Sequence, residues 1–133
     1  MKVVSTGGKL PTRKHDSDAG LDLYAAEDVT LLPLEPATVR TGIKIKLPDN
    51  TFGLLKPKSR HTFHIGAGVI DLGYTGEIKV RILPFEYQKI KAGEPIAQLI
   101  VLPYVCVGID QADQLEETPR GEDGGINRNE MTP

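Results

Sequence analysis

The sequence predicts an all-β protein, either a β-sandwich, a jelly roll or a barrel. Apolar and polar residues alternate with a period of two, most clearly in ATVRTGIKIKLP (37–48). Ten prolines and fourteen glycines interrupt the apolar segments at short intervals, as turns between short strands would. No segment has the apolar stripe of an amphipathic helix, and DQADQLEE (110–117), although helix-friendly, lacks one as well.

The strands are expected at regular positions along the chain. In the longest one, a buried face is predicted for Val39, Thr41, Ile43, Ile45 and Leu47, and a polar face for Arg40, Gly42, Lys44 and Lys46. Asp22 lies in a further strand-like run, between Leu21 and Leu23. The remaining predicted strands cover residues 2–5, 29–34, 51–56, 63–70, 77–85 and 95–107.

The chain of 133 residues is predicted to form one β domain over residues 1–117, followed by a flexible tail over 118–133. The tail contains only Ile126 and Met131 as large apolar residues, too few to bury a core of its own. The single cysteine, Cys106, lies in the apolar run IVLPYVCVGI, so we expect it to be buried and to form no internal disulfide.

Charge and hydropathy exclude several classes of partner. The formal net charge is -2, without the basic excess that nucleic acid or an anionic membrane would favour. No apolar stretch approaches the ~20 residues of a membrane span, and MKVVSTGG has no signal-peptide core. We therefore expect a soluble, cytoplasmic protein.

Three polar stretches are candidates for chemistry. Asp22 is either an exposed strand carboxylate or a group that binds hydrated Mg²⁺. In LLKPKSRHTF, Lys58, Ser59 and Arg60 suit phosphate oxygens, although a solvated polar loop explains the same string. Gln98 stands in an otherwise apolar strand and needs a hydrogen-bond partner, for which a backbone group is the default.

The fourth stretch is GAGVIDLGYTGEIKV (66–80), where an apolar strand runs directly into Asp71. A carboxylate at a strand end can serve as the general base for a water molecule. Tyr74 offers a flat face to a ring, and Gly66 and Gly68 allow close approach of the backbone to a ligand. A glycine-rich hairpin without function explains the stretch equally well.

In this order, four segments resemble the first four motifs of the trimeric dUTPases: AGLDLYAAED, PKSR, GAGVIDLGYTGE and GEPIAQLIVLP. The resemblance extends from about residue 10 to residue 103, with traces to Arg120 and Gly121. It implies a jelly-roll subunit, a homotrimer with active sites between subunits, and Mg²⁺-dependent hydrolysis of dUTP to dUMP and pyrophosphate.

The resemblance also implies a role for each matching residue. Asp71 would activate the water that attacks the α-phosphorus, and Tyr74 would pack under the deoxyribose and exclude a 2′-hydroxyl. The backbone around Gly66, Gly68 and Lys79 would read uracil, and Asp22 would hold the metal through water. The expected phosphate contacts are Lys58, Ser59, Arg60, Gln98 and Arg120.

Two motifs depart from the family pattern. In the second motif Lys58 replaces an arginine and so loses the planar, bidentate fork. The fifth, which reads RGEDGGINRNEM, has Gly125 at the position of a stacking phenylalanine and lacks the glycine-serine-threonine run. We predict slower turnover or looser binding than in a full-motif relative, unless Arg120, Asn127 or Arg128 substitutes.

Three other functions compete with this interpretation. The altered motifs favour a weakly active or inactive relative that binds a nucleotide or has a regulatory role. A dCTP deaminase shares the fold, but Arg81 stands where its catalytic glutamate would be, which argues against deamination. A purely structural β-sandwich would make the series of motifs an accident.

Overall fold

The computed structural model describes residues 1–59, 61–66 and 68–126. Within these ranges all helices and strands assigned are β-strands, which confirms the all-β class. The strands are β1 (Lys2–Ser5), β2 (Gly20–Tyr24), β3 (Val29–Leu31), β4 (Ala37–Lys46), β5 (Thr51–Lys56), β6 (Phe63–Ile65), β7 (Val69–Ile70), β8 (Glu77–Pro84), β9 (Gln88–Ile90) and β10 (Pro95–Pro103).

Two four-stranded antiparallel sheets form the jelly roll. The first has the order β1-β4-β8-β6, the second has the order β2-β10-β5-β7, and β3 pairs with β9 in a small third sheet. One apolar core draws side chains from all three sheets, including Val80, Leu99 and Leu31, none of which is exposed to solvent.

The long strand β4 has the predicted alternation with one exception. Its apolar face is buried as expected, but Gly42 is buried as well, although the sequence predicts it on the polar face. The β4–β8 register shifts between Arg40 and Lys44, and Gly42 has a φ of 67° inside this bulge. Glycine adopts that left-handed conformation without the steric penalty of a side chain.

Other predicted boundaries were wrong for identifiable reasons. The strand expected over 63–70 is two strands, because the chain leaves the first sheet after Ile65 and joins the second at Val69. The strand expected over 29–34 ends at Leu31, and Leu34 has a positive φ of 61°.

The strand expected over 95–107 ends at Pro103, and Cys106 lies beyond it. Cys106 is exposed rather than buried, as are its neighbours Val105 and Val107. An apolar run therefore continues past the end of the sheet that would have covered it. The three-residue strand β9, whose sequence Gln-Lys-Ile has no apolar alternation, was not predicted.

Residues 104–126 contain neither a strand nor a helix, and turns occupy 121–124. The helix-friendly run 110–117 is therefore not helical. Among the described residues, no helix is long and apolar enough to cross a membrane.

Candidate active site

The stretch that contains Asp71 and Tyr74 connects the two sheets. β7 pairs with β5 in the second sheet, whereas β8 pairs with β4 and β6 in the first. The hairpin predicted here is therefore wrong, and we call residues 71–76 the arch. Ile70 and Ile78 flank the arch and are both buried in the common core, which anchors its two ends.

A cavity of about 230 Å³ lies beneath the arch and combines two carboxylates, a phenol and an ammonium group. Tyr74 is 47% exposed, and its hydroxyl donates a hydrogen bond to the Glu77 carbonyl at 2.8 Å. Its ring lies over Gly76, where a Cβ would come within 2.6 Å of the phenolic oxygen. The cavity lining comprises Leu55, Val69, Ile70, Asp71, Tyr74, Glu77, Ile78 and Lys79.

Asp71 is exposed at the point where β7 ends. Its backbone carbonyl accepts a hydrogen bond from the Tyr74 N–H at 3.0 Å, which closes a turn and keeps both residues on the same wall. A second, larger groove adjoins Asp71 on the side of Phe52 and Tyr104. The rings of these two aromatics meet edge to face, with centroids 6.0 Å apart. The carboxylate is therefore accessible to water beside a cavity that has room for a ring.

The two glycines whose backbone was predicted to recognise uracil have different surroundings in the structure. The Gly68 carbonyl accepts from the Leu55 N–H at 2.6 Å, and a Cβ on Gly68 would come within 2.4 Å of the Leu55 carbonyl oxygen. The Gly66 N–H donates to the Arg81 carbonyl at 3.3 Å, but nothing lies within 4 Å of where its Cβ would be. Packing against β5 therefore demands glycine at 68, and no such demand is visible at 66.

A second group of predicted residues meets across the sheet β2-β10-β5. Asp22 is paired in register with Gln98, and Gln98 with Lys56. The Lys58 ammonium contacts the Asp22 carboxylate, with side-chain exposures of 24% and 17%, so the pair is largely shielded. Gln98 donates to the Pro57 carbonyl at 3.1 Å, the backbone partner expected by default.

Three of these residues, Asp22, Lys58 and Gln98, line a polar cavity of about 250 Å³ that also includes Lys14 and Asp18. The His15 side chain hydrogen-bonds the Asp18 carboxylate at 3.0 Å and is the main cause of the lowered pKa of that carboxyl group. This cavity and the one beneath the arch have no lining residue in common.

Two of the remaining predicted phosphate ligands, Ser59 and Arg120, line neither cavity. Ser59 is exposed, and Arg60 lies outside the described residues, as do Asn127 and Arg128. Arg120 is exposed, and its Nε donates to the Asp123 carbonyl at 2.8 Å within a local turn.

The donor groups fit Mg²⁺ only in company with a phosphate ligand. The described residues contain no cluster of three or more His, Cys, Asp or Glu side chains able to hold a metal ion. Mg²⁺ commonly keeps several waters and binds through one or two carboxylates together with substrate phosphates. Asp22, half-buried on a polar cavity, fits an ion that arrives with a polyphosphate.

Two charged residues beside the arch were not singled out from the sequence. The Arg40 Nε donates to both oxygens of the Glu77 carboxylate, at 3.2 and 3.1 Å. Burial alone would raise the pKa of Glu77, but hydrogen bonds from Arg40 and the Gly42 amide and the charges of Arg40 and Lys79 together lower it. The glycine in the middle of β4 was the available signal, because such a residue often marks a bulge.

Comparison with known proteins relates the chain to one family. The family model described as dUTPase matches residues 6–127. The deoxyuridine 5′-triphosphate nucleotidohydrolase of Clostridium kluyveri is 39% identical over 132 residues, with 93% of this chain and 92% of the relative covered. The enzyme of the same name from Corynebacterium diphtheriae is 43% identical over 131 residues, with 89% and 86% covered.

Solved structures agree with the sequence comparison. The dUTPase of Staphylococcus bacteriophage 80alpha with dUPNHPP superposes with a TM-score of 0.85 at 27% identity, covering 92% of this chain and 94% of that one. A mutant dUTPase from phage phi11 of S. aureus, described for its coordination of a structural Mg(II) ion, gives 0.80 at 25%, covering 87% and 98%. The chain therefore belongs to the dUTPase family.

Proposed function

We propose that this protein hydrolyses dUTP to dUMP and pyrophosphate. The observation that carries the proposal is the cavity beneath the arch, where an accessible carboxylate, Asp71, shares a wall with the aromatic ring of Tyr74. Family membership supports the substrate, because the relatives compared above are nucleotidohydrolases of deoxyuridine 5′-triphosphate.

In this reaction Asp71 accepts a proton from a water molecule as that water attacks the α-phosphorus in line with the departing pyrophosphate. An exposed carboxylate beside a cavity can reach such a water. Phosphoryl transfer needs a positioned nucleophile and neutralised charge more than it needs a covalent intermediate.

Tyr74 supports the deoxyribose on its ring face and leaves no room for a 2′-hydroxyl. Base recognition falls to the backbone around Gly66, Gly68 and Lys79. The Gly66 N–H and the Gly68 carbonyl are engaged within the fold, so the Gly66 carbonyl and the Gly68 N–H are the groups we assign to uracil.

Asp22, Lys58, Ser59 and Gln98 form the phosphate side, with Arg60 and Arg120 assigned to it from the motifs. Mg²⁺, when bound, would neutralise phosphate charge and help the pyrophosphate to leave. The Lys58 ammonium contacts Asp22 in the free chain. With substrate bound it would turn towards the phosphates, and the Asp22 carboxylate would then be free to hold the ion through water.

The separation of the two cavities supports a homotrimer with each site shared between subunits. Ile70 pairs with Gly53 on β5, which is three residues from Lys56 on the same strand. Lys56 is paired with Gln98 on the neighbouring strand, and Gln98 is paired with Asp22 on the next. At ~3.3 Å per residue and ~4.8 Å per strand, Asp22 and Ile70 are roughly 17 Å apart. To act on the phosphates of one nucleotide, Asp71 and Asp22 must lie closer together than this, and Asp71 directly follows Ile70. A second copy of the chain can supply the missing half.

Mixing two inactive variants tests the shared site. We expect Asp71→Asn chains and Gln98→Ala chains to be nearly inactive separately. In an equimolar, randomly reassorted mixture, about a quarter of all sites would have both residues intact, so activity should return on mixing. If the mixture stays as inactive as its components while mixed oligomers form, each site lies within one chain.

Pyrophosphate release from dUTP with Mg²⁺, compared with release from dCTP, dTTP and UTP, tests the activity itself. Asp71→Asn should lower kcat by about 10²–10⁴, the usual contribution of a general base. Asp49→Asn changes the same functional group in an exposed turn and should leave kcat unchanged. Equal activity of wild type and Asp71→Asn would overturn the proposal.

A weakly active, nucleotide-binding or regulatory protein is the second candidate, favoured by the altered second and fifth motifs. The phage 80alpha enzyme is described as one of the phage dUTPases that control transfer of virulence genes. Truncation after Thr118 tests whether the altered tail still contributes to the site. A tail that closes over substrate predicts a large loss of kcat/KM on truncation, whereas unchanged kinetics would exclude that closure. Tight dUTP binding without turnover would favour the second candidate.

A further inference from the structure

The Glu77 carboxylate holds together the first sheet and the end of the arch. It accepts two contacts from the Arg40 Nε, at 3.2 and 3.1 Å, and one from the Gly42 N–H at 3.0 Å. Both oxygens are therefore engaged, and the side chain is only 16% exposed although it borders the cavity. A carboxylate occupied in this way is suited to fixing geometry rather than to accepting a proton from water.

The bulge in β4 makes this arrangement possible. Because the register shifts between Arg40 and Lys44, the Gly42 N–H turns towards Glu77 instead of continuing the β4–β8 ladder. The opposite side of the bulge is fixed as well, since the Gly42 carbonyl accepts from the N–H groups of Thr6 and Gly8 at 2.7 and 3.2 Å. Glu77 is therefore attached to a rigid part of the fold.

The same residue holds the aromatic ring of the arch. The Tyr74 hydroxyl donates to the Glu77 carbonyl at 2.8 Å, and the Tyr74 N–H donates to the Asp71 carbonyl at 3.0 Å. A continuous series of contacts thus leads from Arg40 through Glu77 to Tyr74. Any displacement of Glu77 moves the acceptor that determines the tilt of the Tyr74 ring.

We propose that Glu77, clamped by Arg40 and the Gly42 amide, is the positioning residue that sets discrimination between deoxyribose and ribose through Tyr74. This inference rests on the proposed function, in which the Tyr74 ring lies under the sugar. A ring tilted away from its clamped position leaves space for a 2′-hydroxyl, so selectivity falls before the chemical step is lost.

The selectivity ratio is the measurement that a merely structural role would not change. We would measure kcat/KM for dUTP and UTP, and Kd for dUMP and UMP, in wild type, Glu77→Gln and Tyr74→Phe. Glu77→Gln removes the charge that Arg40 binds, and Tyr74→Phe removes only the hydroxyl that bonds to Glu77. Both should lower the dUTP/UTP ratio, on the order of tenfold, since displacements near 1 Å at such sites have large kinetic effects.

Glu35→Gln is the matched control, because Glu35 is exposed and lies outside both cavities. It should keep the wild-type ratio. Arg40→Lys retains the charge but loses the planar guanidinium whose Nε makes both contacts, and it should lower the ratio as well. It provides a second variant if Glu77→Gln does not fold.

A Glu77→Gln protein whose dUTP/UTP ratio and dUMP/UMP affinity ratio match wild type would overturn the inference, even if its stability had fallen. A wild-type protein that neither cleaves dUTP nor prefers dUMP to UMP would overturn the proposed function, and the inference with it. The two failures are therefore distinguishable.

Discussion

Replacing Gly68 by alanine should damage the active site through a collision that is visible in the structure. The added Cβ would lie 2.4 Å from the Leu55 carbonyl oxygen and 2.9 Å from the Leu55 Cβ, whereas ordinary contact begins at 3.4 Å. The strand must therefore move by about 1 Å. β7 is only two residues long, so the Leu55 N–H···Gly68 carbonyl bond is a substantial part of its attachment to β5.

The magnitude follows from these distances. Overpacking of this kind costs about 1–3 kcal/mol of unfolding free energy. Asp71 lies three residues further along, and a 1 Å displacement of a reacting group can lower the rate about 100-fold. We therefore expect kcat/KM for dUTP to fall by about 100-fold in Gly68→Ala, with a lower urea midpoint at the same chain concentration.

Two other alanine variants make the comparison specific. Gly108→Ala, outside both cavities and with nothing within 4 Å of the new Cβ, should match wild type in both measurements. Gly66→Ala, equally free of collisions, should keep its stability and lose activity only if the backbone at 66 contacts the base. Gly68→Ala with wild-type kinetics and stability would refute the reasoning.

Three further variants test the contacts around the site. Thr41→Val removes a fully buried hydroxyl that donates to the Ile78 carbonyl at 2.6 Å. Loss of this donor should lower the free energy of unfolding by about 1–3 kcal/mol. Thr41→Ser, which keeps the hydroxyl, should retain most of the stability in urea unfolding. Lys58→Met should lower the free energy of unfolding by roughly 1–2 kcal/mol, as expected for a partly buried ion pair. A double-mutant cycle with Asp22→Asn should measure a coupling energy of that size. Additive effects of the two substitutions would contradict the pairing. The pKa of Glu77 is lowered from its ordinary 4.5, so its carboxylate stabilises the fold above that pH and loses this contribution as the pH falls through the lower folded value. The difference in unfolding free energy between wild type and Glu77→Gln should therefore be largest near pH 6–7 and shrink below about pH 4.5. A difference independent of pH would contradict the assignment.

Periodicity in the sequence was sufficient to predict most strands, but not to predict which strands pair with one another. The alternation in β4 and β8 identifies both strands, because each has one buried face. Whether Ile70 and Ile78 belong to one hairpin or to two sheets depends on which distant strand each pairs with. Alternation along the chain does not reveal the pairing partner of a strand, so the arch was predicted as a hairpin.

Side-chain partners were harder to predict than the motifs that contain them. Asp22 and Lys58 were each selected as functional residues, yet they contact one another across 36 positions of sequence. Glu77 stands inside a motif that was quoted in full, but its role depends on a backbone amide in β4. Such a contact requires the register of the sheet, which the bulge at Gly42 shifts.

The exposure of Cys106 has a practical consequence for spectroscopy. It is the only cysteine among 133 residues, and it lies three positions beyond the end of β10, in an exposed apolar segment. A thiol-reactive spin label or fluorophore would therefore attach at one place without any background substitution. Its mobility or emission would report directly whether this segment meets another chain when the protein assembles.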